Sequence, residues 1–195
     1  MKIEKALKKQ NFYNKIFYSL MVFLGIFLPL CTYLSYINST ILVIFLAIIE
    51  ILICIALINK VNKSYLKFFC YNNKLKFRNG IFSTYSLVQC DKVAIVHTNK
   101  KHEEMEIIIV TKGKIKNQKM KLINKEFIKK YEEAAVEYRR LKRINKDVVC
   151  YFKIIRNGEF KKYILLDNIY RNCVNATYTT AAIENIKIAR GQKEI

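Results

Sequence analysis

The sequence predicts a membrane-spanning α-helical hairpin followed by an α+β domain in the cytoplasm, and three observations predict it. Residues 16–49 contain no charged side chain. From Ser64 onward apolar and polar residues alternate, which is typical of strands. After residue 123 apolar residues recur every three or four positions, which indicates an amphipathic helix. The chain of 195 residues is long enough for one or two small domains.

The predicted hairpin consists of residues 16–36 and 39–59, two apolar stretches of about 20 residues, the length that crosses a bilayer core as a helix. Asn38 and Ser39 break the apolar run, so the connecting loop is short. A cleaved signal peptide is an alternative for the first stretch, but no small-x-small cleavage site follows it and a second stretch comes at once. Two buried helices of a soluble core are the other alternative, and helices this apolar are rare in soluble proteins.

Basic residues flank the two stretches and indicate their orientation, because cytoplasmic loops carry the excess of Lys and Arg. The flanking residues are Lys2, Lys5, Lys8, Lys9 and Lys15 before the first stretch, and Lys60, Lys63 and Lys67 after the second. The loop between the stretches has none. We therefore expect a multi-pass protein of the inner cell membrane with both termini in the cytoplasm. Its expected parts are a basic N-terminus (1–15), the hairpin (16–59), a first cytoplasmic unit (60–146) and a second one (147–195).

The net charge of +20 lies mostly after the hairpin. Attraction to the anionic inner leaflet explains such a charge, and so does a composition biased towards Lys, Asn and Ile with no functional cause. Nucleic-acid binding is the least favoured explanation. Aromatic residues do alternate with basic ones at 65–69 and 138–140. They fit a buried strand and a buried helix face more simply than a stacking platform for bases.

The sequence offers no motif for catalysis, a cofactor or a metal ion. Its five glycines are not grouped, so no phosphate-binding loop is expected. His97 and His102 are the only histidines, and no two of the six cysteines form a C-x-x-C pair. A zinc site or a disulfide framework is therefore not expected in a reducing compartment. We expect the cysteines to be small buried apolar residues, and we expect a protein that is not an enzyme.

The first cytoplasmic unit is predicted to contain short strands followed by one helix. The best-defined strands cover residues 64–71, 74–78, 92–98, 105–111 and 118–124. Tight hairpin turns are expected at Asn72 and Asn73 and again at Asn79 and Gly80. The helix covers residues 124–144 and has Asn124 as its N-cap.

The second unit is predicted to contain a β-hairpin and a C-terminal helix. Residues 148–155 and 160–166 resemble two strands around a turn at Asn157 and Gly158. A helical period follows over residues 167–190. The single proline, Pro29, lies in the hairpin, so no flexible linker is expected and the parts should form a compact body close to the membrane.

The segment "LKFRNGIFSTYSLVQCDKVAIV" (75–96), after two membrane spans, resembles small bacterial membrane proteins that carry a pleckstrin-homology-like (PH-like) domain. In that family a strand enters an "nGif" turn, a polar strand follows, and a "dkI..v" strand comes next, which residues 91–96 match. The resemblance covers residues 1–145, and the tail 147–195 departs from the family pattern. It implies a partly open barrel of antiparallel strands capped by a helix, and it implies no catalytic residues.

Glu50 is the one carboxylate in the most apolar segment and is the first candidate site residue. A charge at the bilayer midplane costs at least about 2.5–3.5 kcal/mol, so Glu50 needs a proton or a partner. Folding the hairpin places Gly25 and Ile26 at the same depth, and Gly25 allows a neighbouring helix to approach closely. We expect Glu50 and Gly25 to contact a second subunit or another membrane protein. A proton or cation path in an oligomer, and a bond within its own hairpin, are the alternatives.

A second candidate site is the lysine-rich segment "TKGKIKNQKMK" (111–121). Its members are Lys112, Lys114, Lys116, Lys119 and Lys121. They could contact anionic lipid head groups, each adding about 1 kcal/mol near the surface. The alternative is an edge hairpin on which lysines prevent unwanted strand pairing. In eukaryotic relatives of the PH-like fold the first strand-to-strand loop binds phosphoinositides, and here Asn72 and Asn73 leave no room for a head-group pocket, so we expect a protein partner over a specific lipid.

These features together predict an adaptor, scaffold or regulatory subunit that holds a PH-like domain at the inner membrane for a protein partner or a homo-oligomer. The alternative is a small oligomeric transport or permeation component that uses Glu50. No cofactor is expected, and nucleic acid is not expected as a partner.

Overall fold

A computed structural model describes residues 2–34, 39–101, 104–113 and 120–194. It begins with two long helices, α1 (Ile3–Leu34) and α2 (Thr40–Ser64). Both are long and apolar enough to span a membrane, and the most apolar window of each has no residue buried inside the protein. Residues 16–34 and 40–59 of the two predicted stretches lie in these helices, Ser39 is the N-cap of α2, and residues 35 and 36 lie outside the described residues. Helix α1 also includes most of the basic N-terminal segment, which continues the helix out of the apolar stretch.

The first sheet has three antiparallel strands in the order β1–β2–β3, which are β1 (Leu66–Tyr71), β2 (Lys74–Asn79) and β3 (Ser86–Gln89). Strand β1 follows α2 after the single residue Tyr65. Asn72 and Asn73 both have positive φ, 46° and 58°, as a two-residue hairpin turn of the primed type requires. This turn was predicted from the sequence and is confirmed.

The tight turn predicted at Asn79 and Gly80 is wrong. Strand β2 ends at Asn79, and a wider connection over residues 80–85 leads to β3, with Phe77 opposite Ser86. The Arg78 guanidinium holds this connection open, because it donates to the carbonyl groups of Ile81 and Ser83. Gly80 has φ 99° and passes so close to Asn62 that an added Cβ would lie 2.6 Å from Oδ1.

The second sheet has five strands in the order β6–β7–β5–β4–β8. They are β4 (Val93–Lys101), β5 (Glu104–Lys112), β6 (Lys121–Leu122), β7 (Cys150–Ile155) and β8 (Thr177–Tyr178). All neighbours are antiparallel except β4 and β8, which are parallel. Strand β7 lies between β6 and β5, so the predicted tail contributes an inner strand of this sheet.

The predicted helix over residues 124–144 is present as two helices, α3 (Lys125–Lys130) and α4 (Glu132–Ile144). The Asn124 cap is confirmed, since its Oδ1 accepts a hydrogen bond from the Phe127 amide at 3.0 Å. Tyr131, with φ −124° and ψ 73°, interrupts the helix. The predicted strand over residues 118–124 reduces to Lys121–Leu122 within the described residues.

The predicted second β-hairpin is wrong. Residues 160–166 lie in and just before helix α5 (Lys161–Asn172), and the predicted helix over residues 167–190 is divided into α5, β8 and α6 (Thr180–Ala189). The buried positions of α5 explain the difference, because Lys162, Leu166 and Ile169 recur at helical spacing. A short apolar run such as "YILL" fits a strand and a buried helix equally well until its neighbours are included.

The larger sheet separates two apolar cores. One face packs against α3 and α4 through residues such as Ile108, Phe127 and Tyr131. The other face packs against the first sheet, α5, α6 and the start of α1. The α+β character predicted after the hairpin is thus present, with two open sheets and helices on both sides of the larger one.

Candidate functional site at the junction of hairpin and domain

Glu50 faces α1 of its own chain. Its Oε2 lies 3.6 Å from the point where a Cβ on Gly25 would stand, so the absent side chain of Gly25 makes room for the carboxyl group. Glu50 Oε1 is shielded from solvent and has no hydrogen-bond partner among the described residues. The sequence predicted that the two residues lie at the same depth, and they adjoin each other inside the hairpin.

Pro29 adds an acceptor to this place in the hairpin. It lies inside α1, four residues after Gly25, and has no N–H group to donate to the Gly25 carbonyl. In the next turn a side chain bonds to the backbone, since Thr32 Oγ1 donates to the Pro29 carbonyl at 2.8 Å. A carboxyl group that carries a proton is a donor, and a helix carbonyl without its amide partner is an acceptor. Gly25 therefore leaves space for the Glu50 carboxyl group, and its carbonyl lacks the amide partner that a residue other than proline at position 29 would supply.

The N-terminal part of α1 packs into the domain that follows α2. Ile3 and Ala6 are buried, and Ile3 joins the core that contains Leu66 and Leu166. Gln10 and Asn14, one helical turn apart, both point at the segment that joins β7 to α5. Helix α1 thus runs without interruption from the domain core into the apolar stretch.

Glu159 lies in that segment and binds both helices of the hairpin. Its Oε2 accepts hydrogen bonds from the side-chain amides of Gln10 and, at 3.2 Å, of Asn14 on α1. Its Oε1 accepts from Lys60 Nζ on α2 at 2.9 Å. The Glu159 side chain is only 14% exposed, and its backbone has φ 45°, a conformation that costs free energy in a non-glycine residue. The surrounding contacts therefore hold this residue in place.

Backbone contacts reinforce the junction on either side of Glu159. The Gly158 amide donates to the Lys63 carbonyl at 2.8 Å, and the Phe160 amide donates to Gln10 Oε1 at 3.1 Å. Gly158 has φ 111°, and a Cβ there would stand 2.5 Å from Leu66. Only glycine fits such a close approach. We call Gln10, Asn14, Lys60, Gly158 and Glu159 the junction.

The last turn of α2 makes further bonds with the domain. Lys63 forms an ion pair with Glu104 at the start of β5, and this hydrogen bond raises the pKa of the Lys63 ammonium. Asn62 Oδ1 accepts a hydrogen bond from the Ile81 amide at 2.9 Å. The end of α2 is therefore bonded to both sheets as well as to the α5 segment.

A buried lysine lies behind the junction. Lys162 is 2% exposed, and its Nζ donates to the Arg156 carbonyl at 2.6 Å. Burial lowers the pKa of Lys162, while the nearby carboxylates of Glu104, Glu106 and Glu159 act in the opposite direction. Lys162 thus connects the junction electrostatically with the strand β5.

Glu106 is the second buried charge of this region. It accepts hydrogen bonds from Tyr131 Oη at 3.1 Å and from Arg156 Nε at 3.0 Å, with Lys130 Nζ at 3.8 Å. Tyr131 is the residue that interrupts the helix pair α3 and α4. The Glu106 contacts therefore fix this helix pair on the sheet. Burial is the main cause that raises the pKa of Tyr131.

Lys112 and Lys121 are exposed in the structure, and Lys114, Lys116 and Lys119 lie outside the described residues. Lys112 is the last residue of β5, whereas Glu104, the first, is paired with the end of α2. The rise of a strand puts about 26 Å between the two ends. The lipid contact predicted for this segment stays a prediction.

None of the six cysteines, all of which lie among the described residues, forms a disulfide bond. Cys90 and Cys173 are buried with their Sγ atoms 2.6 Å apart, in the core between the first sheet and α5. Among the described residues no three His, Cys, Asp or Glu side chains are grouped so that they could hold a metal ion. The junction contacts are hydrogen bonds and an ion pair. They fix the two helices of the hairpin on the domain.

Sequence reasoning missed the junction. Gln10 and Asn14 have the spacing of one helical turn, but the segment before residue 16 was expected to be only a basic N-terminus. Glu159 was expected in a hairpin turn, where a charged residue is normally exposed to solvent and indicates no contact. Comparison of this chain with models of known protein families, with curated proteins and with solved structures found no match.

Proposed function

We propose that this chain is an inner-membrane protein that presents its cytoplasmic domain as an adaptor, scaffold or regulatory subunit for a protein partner. The observation that carries the proposal is the contact of Glu159 with Gln10 and Lys60, one on each helix of the hairpin. A domain fixed in this way keeps one orientation towards the membrane. Such a fixed platform suits the positioning of a partner.

The proposed topology has both termini in the cytoplasm. The lysines before the first apolar stretch and after the second support it, because short cytoplasmic segments carry the positive charge. The packing of Ile3 against the domain that follows α2 also supports it, since both segments must then lie on the same side of the membrane.

The relationship to PH-like domains remains part of this proposal. The succession of short antiparallel strands β1–β5, followed by the helices α3 and α4, supports it. The parallel strand β8 and the helices α5 and α6 lie outside the family pattern as the sequence resemblance described it. We propose a PH-like origin for residues 60–146 and an added role for residues 147–195, which contribute Gly158 and Glu159 to the junction.

Transport by an oligomer is the second candidate function. The observation that favours it is Glu50 Oε1, a shielded carboxyl oxygen without a partner among the described residues. Two helices per chain can enclose a path only when several hairpins assemble. The Glu50 carboxyl group lies against Gly25 inside its own hairpin, so we rank this function second.

The test is purification of the tagged full-length protein from its native membrane in mild detergent, followed by identification of the proteins bound to it. The proposal predicts that a different protein co-purifies in stoichiometric amount. The amount bound should be unchanged in Glu50→Gln and lower in Glu159→Gln. Glu184→Gln is the matched control, because Glu184 is exposed in α6. A homo-oligomer whose ion flux in liposomes is abolished by Glu50→Gln would overturn the adaptor in favour of transport.

A further inference from the structure

The outer face of the first sheet combines basic and aromatic side chains. Lys67, Phe69 and Tyr71 point outward from β1, and their partners Arg78, Lys76 and Lys74 point outward from β2. The opposite side of the same strands is buried in the core. No Asp or Glu occurs between Glu50 and Asp91 in the sequence, so strands β1 and β2 carry basic side chains and no acidic ones.

Cations lie over aromatic rings at the end of this face that adjoins α2. Lys67 Nζ and the Arg78 guanidinium lie 5.6 and 5.4 Å from the ring centre of Tyr65. Lys76 Nζ and the same guanidinium lie 4.7 and 5.8 Å from the ring centre of Tyr85. These contacts arrange the cations and rings in one layer.

The loop over residues 80–85 brings one more aromatic ring to this end. Phe82 is 79% exposed, although it is among the largest apolar side chains of the domain. Its neighbour Ile81 is bonded through its amide to Asn62 on α2. Asn62 lies three residues after the apolar stretch, which corresponds to about 4.5 Å along the helix. If the bilayer core ends with the apolar stretch, this bond places the loop at the level of the lipid head groups.

We propose that Tyr65, Lys67, Lys76, Phe82 and Tyr85 form a surface that binds the anionic phospholipid head groups of the membrane that α2 enters. Lys and Arg near an anionic bilayer are each attracted by about 1 kcal/mol, and aromatic rings concentrate at this interface. The surface has the charge opposite to such lipids. Its attachment, one residue after α2, leaves the bilayer as the nearest large anionic structure.

This inference is independent of the proposed adaptor function, because it concerns lipid and needs no protein partner. It also differs from the lysine segment predicted from the sequence. Lys112 lies at the far end of β5, whereas Lys67 lies two residues after Tyr65, the residue that ends α2. The inferred lipid contact thus involves other residues than the one predicted from the sequence, which stays a separate prediction.

The chain has no tryptophan, so a single introduced tryptophan gives a clean fluorescence signal. We would reconstitute full-length Phe82→Trp in phosphatidylcholine vesicles, with and without phosphatidylglycerol, and measure quenching by lipids spin-labelled near the head group. Tyr71→Trp is the matched control, because Tyr71 is 72% exposed at the other end of the same face. Stronger quenching at position 82 than at 71, increasing with phosphatidylglycerol, is the expected result.

The role of charge is tested in the Phe82→Trp background. Lys67→Gln and Lys76→Gln should each increase the phosphatidylglycerol content needed for half-maximal quenching, by up to about fivefold. Lys74→Gln, at the far end of β2, should leave it unchanged. Arg78 is kept, since it also holds the loop.

Three results would overturn the inference. Equal quenching at positions 71 and 82 would show that this end does not contact lipid. Quenching at 82 that is independent of phosphatidylglycerol would show that the cations do not select anionic lipid. Binding of a labelled oligonucleotide that is lost in Lys67→Gln, with quenching unchanged, would assign the surface to nucleic acid.

Discussion

Glu159 Oε1 accepts a hydrogen bond from Lys60 Nζ at 2.9 Å, across 99 positions of the chain. Lys60 is the first charged residue after the apolar stretch of α2, and Glu159 lies between the last inner strand of the domain and α5. The same carboxylate also binds Gln10 and Asn14 on α1. One side chain therefore joins both helices of the hairpin to the domain that follows them.

Replacing Glu159 by Gln should weaken this connection. The amide keeps the size of the side chain but loses the charge that Lys60 and the two amide donors bind. A hydrogen bond to a charged group contributes about 1.5–3 kcal/mol, so the free energy of unfolding and the Tm in detergent should both fall. Glu184→Gln breaks an exposed ion pair with Lys193 and should change the stability by less than about 1 kcal/mol. Equal Tm values for the two variants would contradict the role of Glu159.

We expect Gly25→Ala to leave the Tm nearly unchanged and Gly25→Leu to lower it. A Cβ at this position stands 3.6 Å from Glu50 Oε2 and 3.9 Å from Ile53, which are ordinary contact distances. A leucine would fill the space of the carboxyl group and cost about 1–3 kcal/mol through overpacking. Ile26→Leu, on the exposed side of α1, is the control and should leave the Tm in detergent unchanged. If Gly25→Leu had no effect either, the two helices would not pack at this point.

Lys162 should make the stability depend on alkaline pH. Burial lowers its pKa in the folded protein below the value of 10.5 that applies when the chain is unfolded. Between these two values the unfolded chain binds more protons, so the free energy of unfolding rises with pH. Below the lowered pKa, Lys162 is protonated in both the folded and the unfolded chain. Its burial then lowers the free energy of unfolding by an amount that no longer changes with pH. The measurement is the difference in unfolding free energy between the protein and Lys162→Met. We expect it to rise as the pH approaches 10.5. A difference that does not change with pH would contradict the burial of a charged amine.

Tyr131→Phe should destabilise the contact between the helix pair and the larger sheet. The change removes only the hydroxyl that donates to Glu106 Oε2, while Arg156 remains bound to the other oxygen. We expect a loss of about 1.5–3 kcal/mol in chemical unfolding, the range for a hydrogen bond to a charged group. Tyr71→Phe, in an exposed position of β1, serves as the comparison and should be neutral. Equal unfolding curves for the two variants would mean that the Tyr131 hydroxyl is not bonded.

Local patterns predicted several elements correctly, because their causes lie in neighbouring residues. A long apolar stretch needs no distant partner to form a helix, and Asn124 caps α3 with an atom only three residues from its donor. The turn at Asn72 and Asn73 likewise depends on two adjacent residues that tolerate positive φ. The position of Glu50 opposite Gly25 followed from the length of the hairpin alone.

Elements whose conformation depends on distant contacts were predicted incorrectly. An Asn-Gly pair favours a tight turn. Here, however, Gly80 lies against Asn62 and Gly158 lies against Leu66. Neither Asn-Gly pair forms the tight hairpin turn, and each leads into a longer connection. The segment after Gly158 became a helix because its apolar residues cover the core between the sheets. The junction has the same origin, since Gln10 and Glu159 are 149 positions apart.

The amide exchange of residues 157–160 in full-length protein, reconstituted in a lipid bilayer, tests the fixed junction most directly. The Gly158 and Phe160 amides are bonded to Lys63 and Gln10 on the two helices of the hairpin. We predict that these amides exchange as slowly as those of β5, and that Glu159→Gln accelerates them without affecting β5. Exchange as fast as in an exposed loop would contradict the account, because these amides would then not be bonded to the two helices of the hairpin.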